Sequence, residues 1–220
     1  MIKRIHSRAS TGRHSARRQK GFLSPRQGLV LLLLIFLAPT FVAWVMHHSG
    51  EGGWKPAGST NSGILVHPAR SLDLPAELLA ADAPLNDFLR GKWTLLYIGD
   101  ADCDSACNTS LYNMRQVHIL QNEHMRRVQR LFLLRSATVA GPLARLLTEE
   151  YPDMTVVNIT PGLAEKIAPD FMIDGVSMQG AKRVYIIDPL GNLMMYYPPG
   201  SDPRGMHKDL KKLLKNSKIG

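Results

Sequence analysis

The only two cysteines of the 220-residue chain lie at positions 103 and 107, inside the stretch DADCDSACNTSL. Two thiols with three residues between them can close a reversible disulfide, or they can enter one coordination sphere as thiolates, which suit Cu(I) well. A disulfide across so short a loop adds little stability through chain entropy, so a purely structural bond has a weak physical motive. Cys103 and Cys107 are therefore candidate redox residues and candidate metal ligands.

A predicted strand precedes the two cysteines and a predicted helix follows them. Residues 92–99, KWTLLYIG, are an apolar and aromatic run that ends in glycine, which is typical of a buried strand. Apolar residues recur at near-helical spacing over 110–125, and we expect this amphipathic helix to begin near Cys107. The unpaired N–H groups at the start of a helix lower the pKa of a thiol and favour the thiolate.

Three carboxylates surround the first cysteine: Asp100, Asp102 and Asp104. Negative charges close to a thiol oppose thiolate formation and raise the thiol pKa. The same carboxylates could instead attract a cation or a basic partner surface, or be solvated loop residues that favour turn geometry. Where the acids dominate, Cys103 is a slow nucleophile, which favours docking or slow redox chemistry over rapid exchange.

The predicted elements from residue 92 onwards alternate in the order β-α-β-α-β-α-β-β-α. Alternation of this kind predicts an α/β fold with a mostly parallel central sheet and helices on both faces. The stretch KRVYIIDPLGNLMMYY, residues 182–197, predicts a hairpin that adds an antiparallel edge to the sheet. Ligands usually meet such sheets at a strand–helix junction, and both cysteines fall at one.

The positive charge of the chain is concentrated at its N-terminus. Eight of the 27 cations lie in residues 1–27, which hold no acid, so the rest of the chain carries 19 cations against 18 acids. The nearly neutral remainder lacks the basic surface of a nucleic-acid-binding domain. Residues 28–46, GLVLLLLIFLAPTFVAWVM, are uncharged and would span roughly 28 Å as a helix, close to the bilayer hydrocarbon core.

This pattern predicts a basic cytoplasmic tail at 1–27, a single-pass transmembrane anchor at 28–46, a flexible Gly/Ser-rich linker at 47–63 and a folded domain at 64–220. A cleaved signal peptide is the alternative, but its apolar core is usually shorter and ends in a small-x-small site. The basic tail keeps the N-terminus in the cytoplasm, so we expect the folded domain outside it, most simply in a bacterial periplasm, where disulfides form.

The single-pass anchor, the stretch LLYIGDADCDSACNTSL and the late VYIIDPLGNL together resemble the Sco/SenC family over roughly residues 85–215. The resemblance implies a thioredoxin-like fold and a membrane-tethered factor of cytochrome c oxidase assembly. It further implies copper handling or thiol reduction at the dinuclear copper site of the oxidase, with a subunit of the oxidase or another periplasmic thiol or copper protein as the partner.

The chain departs from the pattern of that family at three places. The family pattern is Cys-Pro-x-x-Cys-Pro, whereas Asp104 and Asn108 occupy the proline positions here. The third metal ligand of the family is a histidine that would fall at or near Gly180, and no histidine lies between His124 and His207. Met178 is a candidate substitute, because a thioether is a soft Cu(I) ligand; the alternative is an ordinary loop or packing residue.

Three functions follow from these observations. The first is a Sco-like assembly factor in which Cys103 and Cys107 bind Cu(I) or cycle between dithiol and disulfide, with weak or absent Cu(II) binding because the imidazole is missing. The second is an enzyme, a thiol–disulfide oxidoreductase of the thioredoxin-like class, although its usual motif is Cys-x-x-Cys. The third is a non-catalytic assembly scaffold on the same fold.

Overall fold

The structure is a computed structural model that describes residues 24–48, 60–80 and 82–219. The chain divides into two compact units, Met1–Gly58 and Ser59–Gly220. In the first unit, helix α1 (Pro25–His48) contains Pro39 and is 24 residues long. Its segment Pro25–Val45 is long and apolar enough to cross a membrane, which makes it the candidate span that the sequence predicts. Most of the predicted basic tail (residues 1–23) and of the predicted linker (49–59) lies outside the described residues.

The second unit is built around a six-stranded sheet. Its strands are β1 (Ile64–Ser71), β4 (Trp93–Gly99), β5 (Val128–Leu134), β6 (Thr155–Asn158), β7 (Val184–Ile187) and β8 (Asn192–Tyr197). A separate two-stranded sheet pairs β2 (Leu79–Ala80) with β3 (Ala83–Pro84). The helices are α2 (Leu85–Phe88), α3 (Ser105–Ile119), α4 (Gly141–Glu150), α5 (Pro161–Ile167) and α6 (Pro203–Asn216), with 3-10 turns at Asn122–Arg127 and Ala168–Phe171.

The predicted order of elements is confirmed, but the sheet is mixed rather than mostly parallel, because three of its five strand pairings are antiparallel. Its strand order is β1-β8-β7-β4-β5-β6. The pairs β4–β5 and β5–β6 are parallel, whereas β7 pairs antiparallel with both β4 and β8. The predicted hairpin is present, but it is not the edge of the sheet, because β1 adds antiparallel to β8. Strand β1, in the extended arm before the core, is therefore the edge strand on this side of the sheet.

Two apolar layers cover the two faces of the sheet. All seven residues of β4 are buried, and their side chains alternate between the layers: Leu96 and Ile98 pack in one, Leu95 and Tyr97 in the other. The second layer also contains Cys107 and the apolar faces of α3, α4 and α6, whereas the first contains α5 and the segment that leads into β4. A strand buried on both faces is continuously apolar, which explains the WTLLYIG run.

The arm that enters β1 is held by a buried carboxylate on α6. Asp209, which is 2% exposed, accepts hydrogen bonds from the backbone N–H groups of Ser62 and Gly63 at 2.7 and 2.9 Å and from the hydroxyl of Tyr197 at 3.0 Å. A Cβ added at Gly63 would lie 2.6 Å from the ring of Tyr197, so only glycine fits at this crossing. These contacts fix where the folded domain begins.

Candidate functional site: the Cys103–Cys107 disulfide

Cys103 and Cys107 form a disulfide at the end of β4. Cys103 lies in the turn after the strand and Cys107 in the first turn of α3, with their Cα atoms 5.1 Å apart. The prediction that this spacing can close a disulfide is confirmed. Cys107 is 4% exposed and packs in the core layer, whereas Cys103 is partly exposed. One sulfur of the pair can therefore be approached from solvent and the other is shielded.

The residues at the two proline positions hold the CxxxC loop by hydrogen bonds. Asp104 is the N-cap of α3, and its carboxylate accepts from the backbone N–H of Cys107 at 3.0 Å. The side-chain amide of Asn108 donates to the carbonyl of Cys103 at 3.0 Å, and its Oδ1 lies 3.9 Å from the Cys103 sulfur. Asp104 keeps the loop ordered as a helix cap, and Asn108 does so from inside α3 by its hydrogen bond back to Cys103.

Two cations compensate two of the three carboxylates around the loop. Lys182, from the loop before β7, forms an ion pair with Asp104. Arg135, which follows β5, pairs with Asp100 at 2.5 Å. The hydrogen bond from Lys182 holds the pKa of Asp104 below its usual value, and Asp104 in turn raises the pKa of Lys182. Asp102 is exposed and has no ion-pair partner among residues 24–48, 60–80 and 82–219.

A small polar cavity of about 80 Å³ opens beside the disulfide. We call it the acidic cavity; its wall includes Tyr97, Asp100, Asp102, Cys103, Gly180 and Lys182. Burial, followed by the charges of the three carboxylates, raises the pKa of Tyr97 to about 12. Tyr97 is therefore a neutral phenol in the wall of this cavity at physiological pH.

A larger cavity of about 320 Å³ lies beside Cys103 and has an apolar wall on α4. We call it the apolar groove; its wall is formed by Ala101, Asp102, Cys103, Asn108, Pro142, Leu143 and Leu146. Cys103 and Asp102 line both cavities. The reachable cysteine is therefore at the boundary between a polar and an apolar surface.

The structure brings no third metal ligand to the two cysteines from Gly180 or from Met178, the predicted substitute for the family histidine. Gly180, at the position expected for the family histidine, lines the acidic cavity and brings no side chain to it. Met178 is 1% exposed and packs in the core layer opposite the one that contains Cys107. The two cysteines are thus together, while Met178 is a packing residue here, and its role as a metal ligand stays a prediction that nothing supports.

Two of the histidines that the sequence offers, His118 and His207, are engaged elsewhere in the fold. Nε2 of His118 lies 3.0 Å from the carbonyl of Val128, and burial lowers the pKa of this imidazole. His207 contacts Gln121 through Nδ1 at 3.1 Å. Within the described part of the chain, no group of three His, Cys, Asp or Glu side chains could hold a metal ion.

The donor set at the site fits a two-sulfur copper site and does not fit a three-ligand site. The sulfurs of Cys103 and Cys107 are adjacent, so as two thiolates they could share one Cu(I), a soft ion that thiolates select. A histidine-completed site would need an imidazole where Gly180 stands, and the nearby Lys182 is a cation paired with Asp104. Lys182 and Arg135 could not be found from the sequence, because distant segments bring them to the loop.

The comparisons with known proteins agree with this fold. By sequence, no curated protein matches the chain. The solved structures that share its fold include apo Sco1 from Thermus thermophilus (19% identity, TM-score 0.55, 71% of this chain and 99% of that one), yeast Sco1 (16%, 0.55, 69% and 98%) and Arabidopsis thaliana ScoI with copper bound (16%, 0.51, 72% and 100%). At these identities the likeness establishes a thioredoxin-like fold of the Sco type, as the sequence predicts.

Residues 93–217 match the family described as "Transmembrane-like, thioredoxin-like, C-terminal domain". The match begins at the first residue of β4 and ends just beyond α6, so it contains the whole CxxxC site and the elements that position it. It covers more than half of the chain, and the chain therefore belongs to the transmembrane-like, thioredoxin-like C-terminal domain family.

Proposed function

We propose that this protein is a membrane-anchored, Sco-like thiol–disulfide exchange factor that acts through Cys103 and Cys107. One observation carries the proposal: the two sulfurs are bonded to each other at a strand–helix junction, with Cys103 at the surface and Cys107 shielded. A pair of this kind has an attacking sulfur and a resolving sulfur, which is the arrangement that two-step exchange needs.

The exchange is balanced in two steps. In the reduced protein, the Cys103 thiolate attacks one sulfur of a partner disulfide, a bond forms between them, and the other partner sulfur leaves as a thiolate. The Cys107 thiolate then attacks the Cys103 sulfur, the mixed disulfide breaks, and the second partner sulfur leaves as a thiolate. Two electrons pass to the partner, and the protein ends in the disulfide state that the structure describes.

The charges at the site favour this direction. Asp100 and Asp104 are compensated by cations, but Asp102 adds an uncompensated negative charge beside Cys103. A thiolate is destabilised by such a charge and a neutral disulfide is not, so the oxidised form of this protein is favoured. The protein then acts as a reductant, and it must be returned to the dithiol by another dithiol protein on its side of the membrane.

The full-length protein in detergent tests the proposal through two single variants. Cys107→Ser should accumulate a mixed disulfide with a partner or with glutathione disulfide, because Cys103 can attack but nothing resolves the product. Cys103→Ser should accumulate little, because Cys107 is only 4% exposed. Equal trapping by both variants, or by neither, would contradict the proposed roles.

We place the folded domain in the periplasm and its partner in cytochrome c oxidase assembly as part of the same proposal. Support comes from the seven cations that precede the candidate span Pro25–Val45, with an eighth, Arg26, at its start, and from the Sco-type fold. Alkaline phosphatase fused after residue 219 should be active, and a cytoplasm-dependent reporter at the same place should not. A Cys103→Ser/Cys107→Ser strain should lose oxidase activity; full activity in that strain would favour a non-catalytic scaffold.

Copper transfer is a second candidate, favoured by the adjacency of the two sulfurs and by the copper-bound state of the Arabidopsis structure. In this alternative the dithiol of Cys103 and Cys107 carries Cu(I) as cargo to a partner. The reduced full-length protein should retain one Cu(I) against a competing chelator, with only sulfur scatterers in its X-ray absorption spectrum. Loss of all copper in that competition, beside intact disulfide exchange, would exclude the candidate.

A further inference from the structure

We infer that the apolar groove and the acidic cavity together recognise the polypeptide around the partner cysteine: an apolar residue on one side of that cysteine and a lysine or arginine on the other. The inference deepens the proposed function and rests on it. Its occupant is an extended segment of a partner protein, because the reacting sulfur must reach Cys103 at the boundary between the two surfaces.

The apolar half of this surface is provided by α4. Leu146 is partly buried and packs with Leu143 against the core layer that contains Cys107, while Pro142 is exposed at the start of the helix. These side chains reach the groove that Cys103 also lines. A groove of about 320 Å³ is at the lower end of the size range of small ligand sites, so it accommodates one or two side chains rather than a folded surface.

The charged half is defined by Asp102, the one of the three carboxylates around Cys103 that has no ion-pair partner among the described residues. Arg135 pairs with Asp100 and Lys182 pairs with Asp104, so a partner cation gains little from either. Asp102 is exposed, lines both cavities and lies next to Cys103 in the chain. A basic side chain of the partner would remove the charge that opposes the Cys103 thiolate, which couples recognition to reactivity.

The spacing of the flanking residues follows from strand geometry. In an extended segment, side chains two residues apart point to the same side and lie about 7 Å apart. When the partner cysteine points at Cys103, the residues two positions before and after it therefore face the same surface. The predicted recognition pattern is apolar-x-Cys-x-basic or its reverse. Which order a partner uses depends on the direction in which its chain crosses the apolar groove and the acidic cavity.

The test uses the full-length Cys107→Ser protein in detergent and short peptides whose single cysteine carries a thionitrobenzoate group. Attack by the Cys103 thiolate forms the mixed disulfide and releases thionitrobenzoate, whose absorbance gives the rate. Peptides Leu-x-Cys-x-Lys and Lys-x-Cys-x-Leu are compared with Ser-x-Cys-x-Ser. Each rate is divided by the rate with the free dithiobis(nitrobenzoate) reagent, which corrects for any change in thiol reactivity.

We expect at least one order of the Leu/Lys peptide to react roughly fivefold to tenfold faster than the Ser/Ser peptide in this ratio, from burial of one leucine. Leu146→Ser should abolish the advantage of leucine, and Asp102→Asn should reduce the advantage of lysine by about twofold to fivefold. Ala101→Glu, at an exposed turn of the groove, should also reduce the advantage of leucine, and it removes no core contact. Leu190→Ser, on the exposed turn between β7 and β8, is the matched control and should change nothing.

Equal ratios for all peptides, or ratios that the groove variants leave unchanged, would overturn the inference while the exchange chemistry stands. If Cys103 reacted neither with the peptides nor with the free reagent, the proposed function itself would be contradicted. If the groove accepts a second copy of this chain, the Cys107→Ser protein would form a Cys103–Cys103 dimer that Leu146→Ser prevents, and that result would also overturn the inference.

Discussion

The ammonium group of Lys182 pairs with the carboxylate of Asp104 across 78 residues of sequence. The contact joins the loop before β7 to the N-cap of α3, and so forms one wall of the acidic cavity beside the disulfide. Asp104 has two roles in this arrangement, since the same side chain accepts from the backbone N–H of Cys107 and balances a cation. Order of the CxxxC loop and the charge at the site are thereby linked.

Replacing Lys182 should make the carboxyl of Asp104 easier to protonate. In the wild type the pKa of Asp104 is lowered, first by its hydrogen bond to Lys182. A lowered carboxyl pKa contributes stability that is present above the unfolded-state pKa and is lost as pH falls through the folded-state value. Lys182→Met should therefore raise the pKa of Asp104, which an NMR titration measures. The free energy of unfolding should also fall less as the pH is lowered, which unfolding at several pH values measures.

The control for this prediction is Lys208→Met, at an exposed position on α6. It removes the same charge from the protein without touching the site. An equal change in the Asp104 titration in both variants would mean that overall charge, rather than the contact with Lys182, sets the pKa of Asp104.

Removing the cap at Asp104 should destabilise the start of α3. Asp104→Ala leaves the N–H of Cys107 without its acceptor, and loss of such a cap typically costs ~0.5–2 kcal/mol in the free energy of unfolding. Asp104→Asn keeps an acceptor oxygen but loses the ion pair with Lys182, so it should cost less. Urea unfolding of the full-length variants in detergent measures both, and an equal loss in the two would show that the charge matters more than the cap.

The sequence was sufficient to locate the CxxxC loop, because its signals are local. A continuous apolar run marks β4, and helical periodicity marks α3, so the cysteines between them had to fall at a strand–helix junction. The helix begins at Ser105, two residues before the predicted start near Cys107, since Asp104 caps it. The start of this helix is set by one side-chain hydrogen bond, and the spacing of the apolar residues does not indicate where that bond forms.

The charge balance of the site and the place of Met178 depend on long-range packing. Lys182 and Arg135 are ordinary basic residues in the sequence, and only the pairing of β4 with β5 and β7 brings them to the cysteines. The sequence predicts Met178 on a loop close to the position of the third family ligand, and Met178 does lie on a loop two residues before Gly180. Its side chain nevertheless enters the opposite core layer, and the direction of a loop side chain cannot be deduced from sequence spacing.

Truncating Asp209 should loosen the entry of the chain into the folded domain. Asp209→Ala leaves two backbone N–H groups and the hydroxyl of Tyr197 without their shared acceptor, and unsatisfied buried groups of this kind cost ~1–3 kcal/mol each. We expect the free energy of unfolding to fall by roughly 2–5 kcal/mol. Tyr197→Phe removes only one of the three bonds and should cost clearly less; an equal or greater loss in Tyr197→Phe would contradict the shared-acceptor role.

Restoring an imidazole at residue 180 should give the site a ligand for Cu(II). Gly180 lines the acidic cavity, and a Cβ built there meets no atom within 4 Å, so Gly180→His has space beside the cysteines. Imidazole suits Cu(II), whereas two thiolates alone suit Cu(I). The reduced variant should keep Cu(II), with a paramagnetic resonance signal that shows nitrogen and sulfur ligands, while the reduced wild type should transfer electrons to Cu(II) and become the disulfide.

The backbone at residue 180 sets the cost of this change and supplies its control. Gly180 has φ +70°, so any other residue carries strain of ~1–2 kcal/mol. Gly180→Ala introduces the same strain without the ligand and should not keep Cu(II), which separates coordination from a general distortion of the loop. If Gly180→His also fails to keep Cu(II) while it remains folded and exchanges disulfides, an imidazole at residue 180 does not reach the two sulfurs, and the prediction of a restored Cu(II) site is wrong.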